Sequence, residues 1–239
     1  EGKTWKKKIP DEIVRAYNCK DMITTPKVST QLLKDMKEAK LEQFYKNYSH
    51  PFLAVGLEMQ RNKLKLNREW HQKLAGILAN ERITVHNTLT ELIGREINVK
   101  SSDQIQQLLY DELHLPSKWK RSTGNKTTEE NALKELRAEY PEINQLNLIL
   151  KERHLRTKES NNINVKFDID STGDLYLPYM ANIAGTKPGR WAFSKSPKWR
   201  GSSPQTIPKV IRLMYEPPVG SVFWQRDLSQ AEVRVVAWL

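Results

Sequence analysis

The string Asp227-Leu-Ser-Gln-Ala-Glu-Val-Arg234 holds the densest chemistry in the 239-residue sequence. It follows Ser221-Val-Phe-Trp-Gln-Arg226, a short apolar-rich run set off by the turn Pro217-Pro-Val-Gly220, which is strand punctuation. Behind Asp227 the pattern becomes helical. Ser229 and Glu232 have the spacing of a capping box, Leu228 and Val233 that of a hydrophobic staple, and Val236 and Ala237 continue the period. An acid where a strand hands over to a helix can hold a hard cation beside a bound phosphate. An aspartate that merely shapes a turn takes the same place.

Other residues suit an anionic partner. The segment Gly185–Arg212 carries Lys187, Arg190, Lys195, Lys198, Arg200, Lys209 and Arg212, no acid, and the interleaved rings of Trp191, Phe193 and Trp199. Cations release the counterions condensed on a phosphate backbone, and aromatic faces stack on bases. The bland alternative is a solvated loop whose rings tuck into the core. A second basic stretch, Lys118–Thr128, sets Lys120, Arg121 and Lys126 beside Thr123, Thr128 and a glycine, which suits a phosphate cradle or an ordinary polar loop. Lys151, Arg153, Arg156 and Lys158 cluster where helix-dipole complementarity alone would put them. Tyr17 and Asp21 stand one helical turn apart, as incidental surface pairs often do.

The elements that must position these residues are mostly helices. Apolar residues Ile13, Val14, Tyr17, Leu32, Leu33, Met36 and Leu41 recur at helical spacing between about residues 10 and 48, and His50-Pro51 breaks the run. A second block starts near Phe52 and pauses at Asn62–Asn67. Asn67 is a good N-cap for a long helix from Arg68 to about Leu92, with Trp70, Leu74, Ile77, Leu78 and Val85 on its inner face. Ser101 caps a further helix through Ile105, Leu108 and Leu109, Thr128 starts one over 129–139, and Pro141 opens one to about Lys158 with Ile143, Leu146, Ile149 and Leu150 inward. After Asn161 the period falls to two: Val165, Phe167 and Ile169, a turn at Ser171–Asp174, then Leu175, Leu177 and Tyr179, a β-hairpin.

Composition narrows the partner. Lys and Arg outnumber Asp and Glu by 39 to 28, a net charge of +11, which favours nucleic acid first and an acidic membrane surface second. A single cysteine, Cys19, excludes an internal disulfide and points to a cytosolic setting, and five scattered histidines make a zinc site improbable. No apolar stretch is long enough to span a bilayer, and Glu1–Lys8 lacks a signal core. With no initiator methionine and a helix-like ending at Leu239, both ends are expected to continue into something longer.

Asp-x-Ser-Gln-x-Glu-x-Arg after a short strand resembles the first palm motif of A-family DNA polymerases, the bacterial DNA polymerase I group and its phage relatives. The resemblance runs from about Tyr17 to Leu239. Tyr17 and Asp21 match the Tyr-x-x-x-Asp of the proofreading exonuclease. Glu58–Asn67 resembles the entry into the thumb, with Gln60, Lys63 and Asn67 in place of the usual Glu, Gly and Asp. Ser101–Ile105 resembles the family's Asn-Ser-Pro-Lys-Gln-Leu, Leu115-Pro116 and Ser122–Thr128 resemble the thumb tip, and Arg153 matches an arginine of the long thumb helix. Thr186, Gly189 and Arg190 match Thr-x-x-Gly-Arg, Gln205–Pro208 resembles Gln-Asn-Ile-Pro, and Arg212 and Gly220 match the run leading to the catalytic strand. The insertion-like Lys195–Ser203 and Trp191-Ala192 suggest a divergent, phage-like member.

This resemblance implies an α+β fold, mostly helical. Residues 1–48 would end a 3′-5′ exonuclease-like domain, 49–162 form a helical thumb, and 163–239 begin an antiparallel β palm. It implies DNA-directed DNA synthesis by two-metal phosphoryl transfer, with Asp227 and the Leu228 carbonyl binding both Mg²⁺ ions and Glu232 under the incoming sugar. Ser229, Gln230 and Arg234 would support the nucleotide and primer. Thr186, Gly189, Arg190, Gln205 and Arg212, with Arg153, Lys120, Arg121, Thr123, Lys126 and Thr128, would contact DNA. Primer–template DNA and dNTP are the implied partners, in the cytoplasm of a bacterial or phage-infected cell. With no fingers helix and no second palm carboxylate after Leu239, this polypeptide alone is expected not to polymerise unless a complementary fragment supplies them. The competing readings are a non-catalytic duplex-binding module derived from a thumb and a metal nuclease using Asp21 and Asp227.

Overall fold

A computed structural model of the chain describes residues 9–187, 189–197 and 200–238. Lys198 and Trp199 of the basic segment, the N-terminal Glu1–Lys8 and Leu239 lie outside them. Helix α1 (Asp11–Glu38), α2 (Glu42–Phe44), a π-helical turn Tyr45–Ser49 and α3 (His50–Asn62) come first. Then follow β1 (Leu64–Leu66), α4 (Arg68–Ile93), α5 (Ser102–Gln106) with a π-helical turn Gln107–Glu112, α6 (Glu130–Glu139) and α7 (Asn144–Lys158) with a π-helical turn Glu159–Ile163. The strands β2 (Asp168–Ile169), β3 (Leu175–Leu177), β4 (Met180–Asn182), β5 (Ala192–Ser194) and β6 (Tyr215–Glu216) precede α8 (Ala231–Trp238). Strands β2, β3, β1 and β6 pair in that order, all antiparallel. The fold is therefore mostly helical α+β with a small antiparallel sheet, as expected. None of the described helices is long and apolar enough to cross a membrane.

The chain divides into two compact units, Glu1–Arg61 with Asn182–Trp191, and Asn62–Ala181 with Ala192–Leu239. In the first, α1 is helical as its spacing implies, yet it buries no residue. Ile13, Val14, Tyr17, Leu32, Leu33 and Leu41 are all exposed. His50-Pro51 does not break the run as expected: the chain stays helical from Glu42 through Asn62, and the π-helical turn Tyr45–Ser49, whose hydrogen bonds span five residues, stands immediately before the proline that lacks an N–H. Rings at four-residue intervals then stack along one face: Phe44 on Tyr48 at 5.1 Å, Tyr48 against Phe52 at 4.7 Å, and Phe52 edge-on to Trp191 at 5.7 Å.

The second unit has two cores, and α4 and α7 run through both. One gathers Leu89 with Ile105, Leu109, Leu133, Leu136, Leu146 and Ile149 from the surrounding helices. The other joins Leu74, Leu78 and Val85 of α4 and Leu155 of α7 to Leu66, Leu177, Met214 and Tyr215 beside the sheet. The predicted cap of α4 is present: the Asn67 side-chain oxygen accepts from the Trp70 N–H at 3.0 Å. Its amide nitrogen also donates to Glu216 at 3.0 Å, a bond the family's aspartate could not make. The inner face of α4 is Leu74, Leu78, Val85 and Leu89. Trp70 and Ile77, expected there, lie off that stripe and are exposed at 38% and 52%. Helix α7 starts at Asn144 rather than Pro141, which sits in the preceding turn, and α6 starts at Glu130.

Two backbone positions are unusual. Lys63, where the resembling motif has glycine, adopts φ 53°, a left-handed conformation that costs a side-chain-bearing residue roughly 1–2 kcal/mol. Its ammonium meets Asp168 at 2.6 Å, an ion pair with both partners partly exposed and worth at most about 1 kcal/mol. The pair offsets part of the strain. Gly201, at φ 73°, has no room for a side chain: a Cβ there would stand 1.7 Å from the Pro178 carbonyl oxygen.

A polar link also joins α4 and α7. Glu152 of α7 is fully buried and accepts from Arg156 Nε at 2.8 Å and from His86 Nδ1 at 3.2 Å, while His86 Nε2 meets Glu96 at 2.9 Å. Burial pulls the His86 imidazole down, and its bonds to Glu152 and Glu96 outweigh this, so its pKa stands above the ordinary 6.5. A raised folded-state pKa contributes stability that is fully present below the unfolded value and is lost as pH rises through the folded one. Urea midpoints should therefore separate the unchanged chain from a His86→Gln variant most at acidic pH, with the gap narrowing as pH climbs past 6.5. A gap that stays constant or widens with pH would refute a stabilising charged His86.

Candidate nucleic-acid interface

The segment 117–128 folds into a tight, anchored tip. Trp119 and Lys126 pair as an antiparallel bridge, and the Lys120 carbonyl accepts from Gly124 at 2.8 Å, with Gly124 at φ 67° closing the turn. From below, the Tyr110 hydroxyl donates to the Thr127 carbonyl at 2.6 Å and accepts from the Lys118 N–H at 3.3 Å. Burial raises the Tyr110 pKa, which keeps the phenol protonated and able to donate. Arg153 of α7 ties the tip to the helices: Nε donates to the Val99 carbonyl at 2.6 Å and Nη1 to that of Thr128. Burial lowers the pKa of this guanidinium, although both bonds engage its charged form.

These anchors frame an open groove of about 710 Å³. It collects four cations, Lys100, Lys120, Lys126 and Arg153, with hydroxyls from Ser102, Thr123, Thr127, Thr128 and Thr157. Two acids, Glu129 and Glu130, share the rim, and Glu129 holds Lys120 at 2.6 Å in an exposed pair that gives way readily to a stronger anion. Lys126 lies over the Tyr110 ring at 5.7 Å. Of the tip residues expected to contact DNA, Lys120, Thr123, Lys126, Thr128 and Arg153 are brought together; Arg121 is in the turn and does not line the groove. Sequence reasoning missed Lys100 and Thr157. Thr157 was within reach, standing one turn after Arg153 on the same face of α7.

The Gly185–Arg212 segment is less uniform than its charge suggests. Its residues fall in both units. In the first, Thr186 Oγ1 accepts from the Arg190 N–H at 3.0 Å and donates to its carbonyl at 3.1 Å, around Gly189 at φ 79°. Thr186 and Arg190 are thus tied together through the Thr186 hydroxyl. In the second, Arg200 is spent internally on the Phe167 carbonyl and on Asp168 at 3.0 Å. Arg212 donates to the Ile207 carbonyl and to Gln225, each at 3.2 Å, and Gln205 accepts from the Phe193 N–H at 3.3 Å. Two of the three rings pack on other rings, as the bland alternative has it: Trp191 on Phe52 and Phe193 on Tyr179, both pairs at 5.7 Å, while Trp199 lies outside the described residues.

The junction at Asp227 differs from its expectation. Residues 221–228 form no strand and pair with none of the strands among the described residues, and Asp227 is exposed. The helix after it begins at Ala231, so the cap falls on Gln230, at φ 51°, whose carbonyl accepts from Arg234 at 3.0 Å, one residue later than the Ser229–Glu232 box predicts. Ser229, Gln230, Glu232 and Arg234 are all exposed around this turn. Mg²⁺ takes near-octahedral oxygen ligands. Among the described residues no group of three or more His, Cys, Asp or Glu could hold a metal ion. One carboxylate and the Leu228 carbonyl do not by themselves make a two-ion site. Tyr17 and Asp21 lie on α1, Tyr17 63% exposed and Asp21 on a shallow groove that also includes Leu32, Met36 and Tyr45.

Residues 68–239 match the family model of DNA polymerase family A. The chain is 25% identical to DNA polymerase I of Borreliella burgdorferi over 236 residues, 95% of this chain and 25% of that protein. It is 29% identical to the thermostable DNA polymerase I of Thermus aquaticus over 206 residues, 84% of this chain and 24% of that protein. Among solved structures it resembles the polymerase domain of Pol1 from M. smegmatis, described in complex with DNA primer–template and dNTP, with a TM-score of 0.61 and 20% identity over 76% of this chain and 31% of that one. The chain belongs to DNA polymerase family A. It spans about a quarter of the length of the curated relatives it matches.

If Tyr110 is what fastens the tip, Tyr110→Phe removes both hydrogen bonds of its hydroxyl, at a cost of about 1–3 kcal/mol. Hydrogen exchange should then speed up at residues 118–128 and stay unchanged in α4 and α7. Uniform acceleration, or none, would show that the tip is held by something else.

Proposed function

We propose that this protein performs template-directed DNA synthesis as a nucleotidyltransferase, acting on primer–template DNA and deoxynucleoside triphosphates with Mg²⁺ as cofactor. Residues 49–162 serve as the thumb, 163–239 begin the palm, and 1–48, with Tyr17 and Asp21, derive from the end of a proofreading exonuclease domain. The observation that carries this reading is the groove in which Lys100, Lys120, Lys126 and Arg153 converge with hydroxyls on a rigidly anchored tip. Such a surface holds phosphates without reading sequence. Membership of the family supports the reaction class.

Within this reading Asp227 and the Leu228 carbonyl contribute to metal binding, Glu232 lies by the incoming sugar, and Ser229, Gln230 and Arg234 support the nucleotide and primer end. Thr186, Gly189 and Arg190 contact the DNA, as do Gln205 and Arg212. Arg121 adds charge at the tip without lining the groove.

Two measurements test it. For duplex DNA, Lys126→Glu should weaken binding by a similar factor for every sequence and make the slope of log K against log salt shallower by about 1. An unaffected slope removes the groove from the interface. In the full-length protein, Asp227→Ala should abolish primer extension while duplex affinity persists. Retained synthesis would overturn the assignment of Asp227.

A further inference from the structure

A second groove, of about 570 Å³, lies between α6 and α7. Lys134 and Arg137 of α6 face Asn147, Lys151 and His154 of α7 across it. Lys151 and Arg153 belong to the basic helix end noted in the sequence, where helix-dipole complementarity alone would place them; Lys134, Arg137, Asn147 and His154 were not singled out there. Its lining shares Glu130, Arg153 and Thr157 with the tip groove, so the two form one continuous depression that passes over α7. Asn147, Lys151, His154 and Thr157 recur at three- and four-residue intervals, the spacing that aligns side chains along one face of a helix. At a rise of about 1.5 Å per residue they extend over roughly 15 Å.

The charges in this groove are only loosely committed. Lys134 pairs with Glu130 at 2.6 Å and Lys151 with Glu81 at 2.9 Å, both between exposed side chains. Arg137 and His154 make no ion pair among the described residues. Exposed pairs of this kind contribute little and exchange readily for a polyanion, whereas duplex DNA presents about one charge per 1.7 Å of its axis.

We infer that the groove between α6 and α7 is a second phosphate-binding track, which takes the backbone of the same DNA that occupies the tip groove. The inference rests on the proposed duplex-binding role and lengthens its footprint. Lys134, Arg137 and Lys151 supply cations, and Asn147 supplies a neutral donor.

The test needs no substitution at first. The purified chain is treated with acetic anhydride, with and without saturating duplex DNA, and lysine labelling is read by mass spectrometry. Protection of Lys134 and Lys151 together with Lys126 is the expected result. Protection of Lys126 alone overturns the second track and leaves the duplex-binding role standing, and protection of none overturns both. An Arg137→Gln, Lys151→Gln variant supplies the second reading. The slope of log K against log salt should become shallower by up to about 1.8, near 0.9 for each lost contact. A slope equal to that of the unchanged chain overturns the track. Labelling of the unmutated chain decides the matter if the variant does not fold.

Discussion

The side-by-side packing of α4 and α7 is the constraint on which the second unit depends. Each helix contributes to two hydrophobic cores, one among helices and one against the sheet. Neither core could form without fixing the register of this pair, because Leu74, Leu78, Val85 and Leu89 on α4 must meet Leu146, Ile149 and Leu155 on α7. Burying these apolar side chains drives the association without choosing a register. Choice comes from Glu152, a carboxylate sealed inside the contact with Arg156 and His86 as partners. An unpaired charge there would cost several kcal/mol, so a slipped register is excluded by more than poor packing.

That rigidity carries directly to the candidate interface. Arg153 is the next residue along α7 from Glu152, and its guanidinium fixes the tip through the Val99 and Thr128 carbonyls. Alternate residues of one helix therefore face opposite tasks: Glu152 and Leu155 hold the core, while Arg153, His154 and Thr157 face the grooves. The tip loop owes its shape to hydrogen bonds that converge on it from Tyr110 and Arg153, so its cations stand on a fixed base and lose little freedom on meeting an anion.

Helices and their caps were legible in the sequence because the signals are local. Asn67, Ser101 and the hairpin turn at 171–174 each act within a few residues, and each behaves in the structure as its side chain predicts. Less legible were features that depend on distant partners. The inner face of α4 was misjudged at Trp70 and Ile77 because only α7 and the sheet decide which stripe is covered. The strand at 221–226 was inferred from a short apolar-rich run after a turn, but a strand exists only where a neighbour completes its ladder. The basic segment was over-read as a single surface: Arg200 turns inward to Asp168 and the Phe167 carbonyl, and composition cannot distinguish an arginine that faces a ligand from one that satisfies its own backbone. Lys100 joined the groove across more than fifty residues of sequence from Arg153, a relation no spacing rule could reveal.

Gly201 has a consequence for how this chain can vary. Its N–H bonds the Lys166 carbonyl at 2.9 Å, and its Cα lies so near Pro178 that no side chain fits. The far end of the insertion-like Lys195–Ser203 segment is thereby pinned beside the hairpin. Evolution can lengthen or shorten the excursion before this anchor without disturbing the sheet, but cannot move the anchor itself. Relatives that differ widely in loop length here should still converge on glycine at this one point.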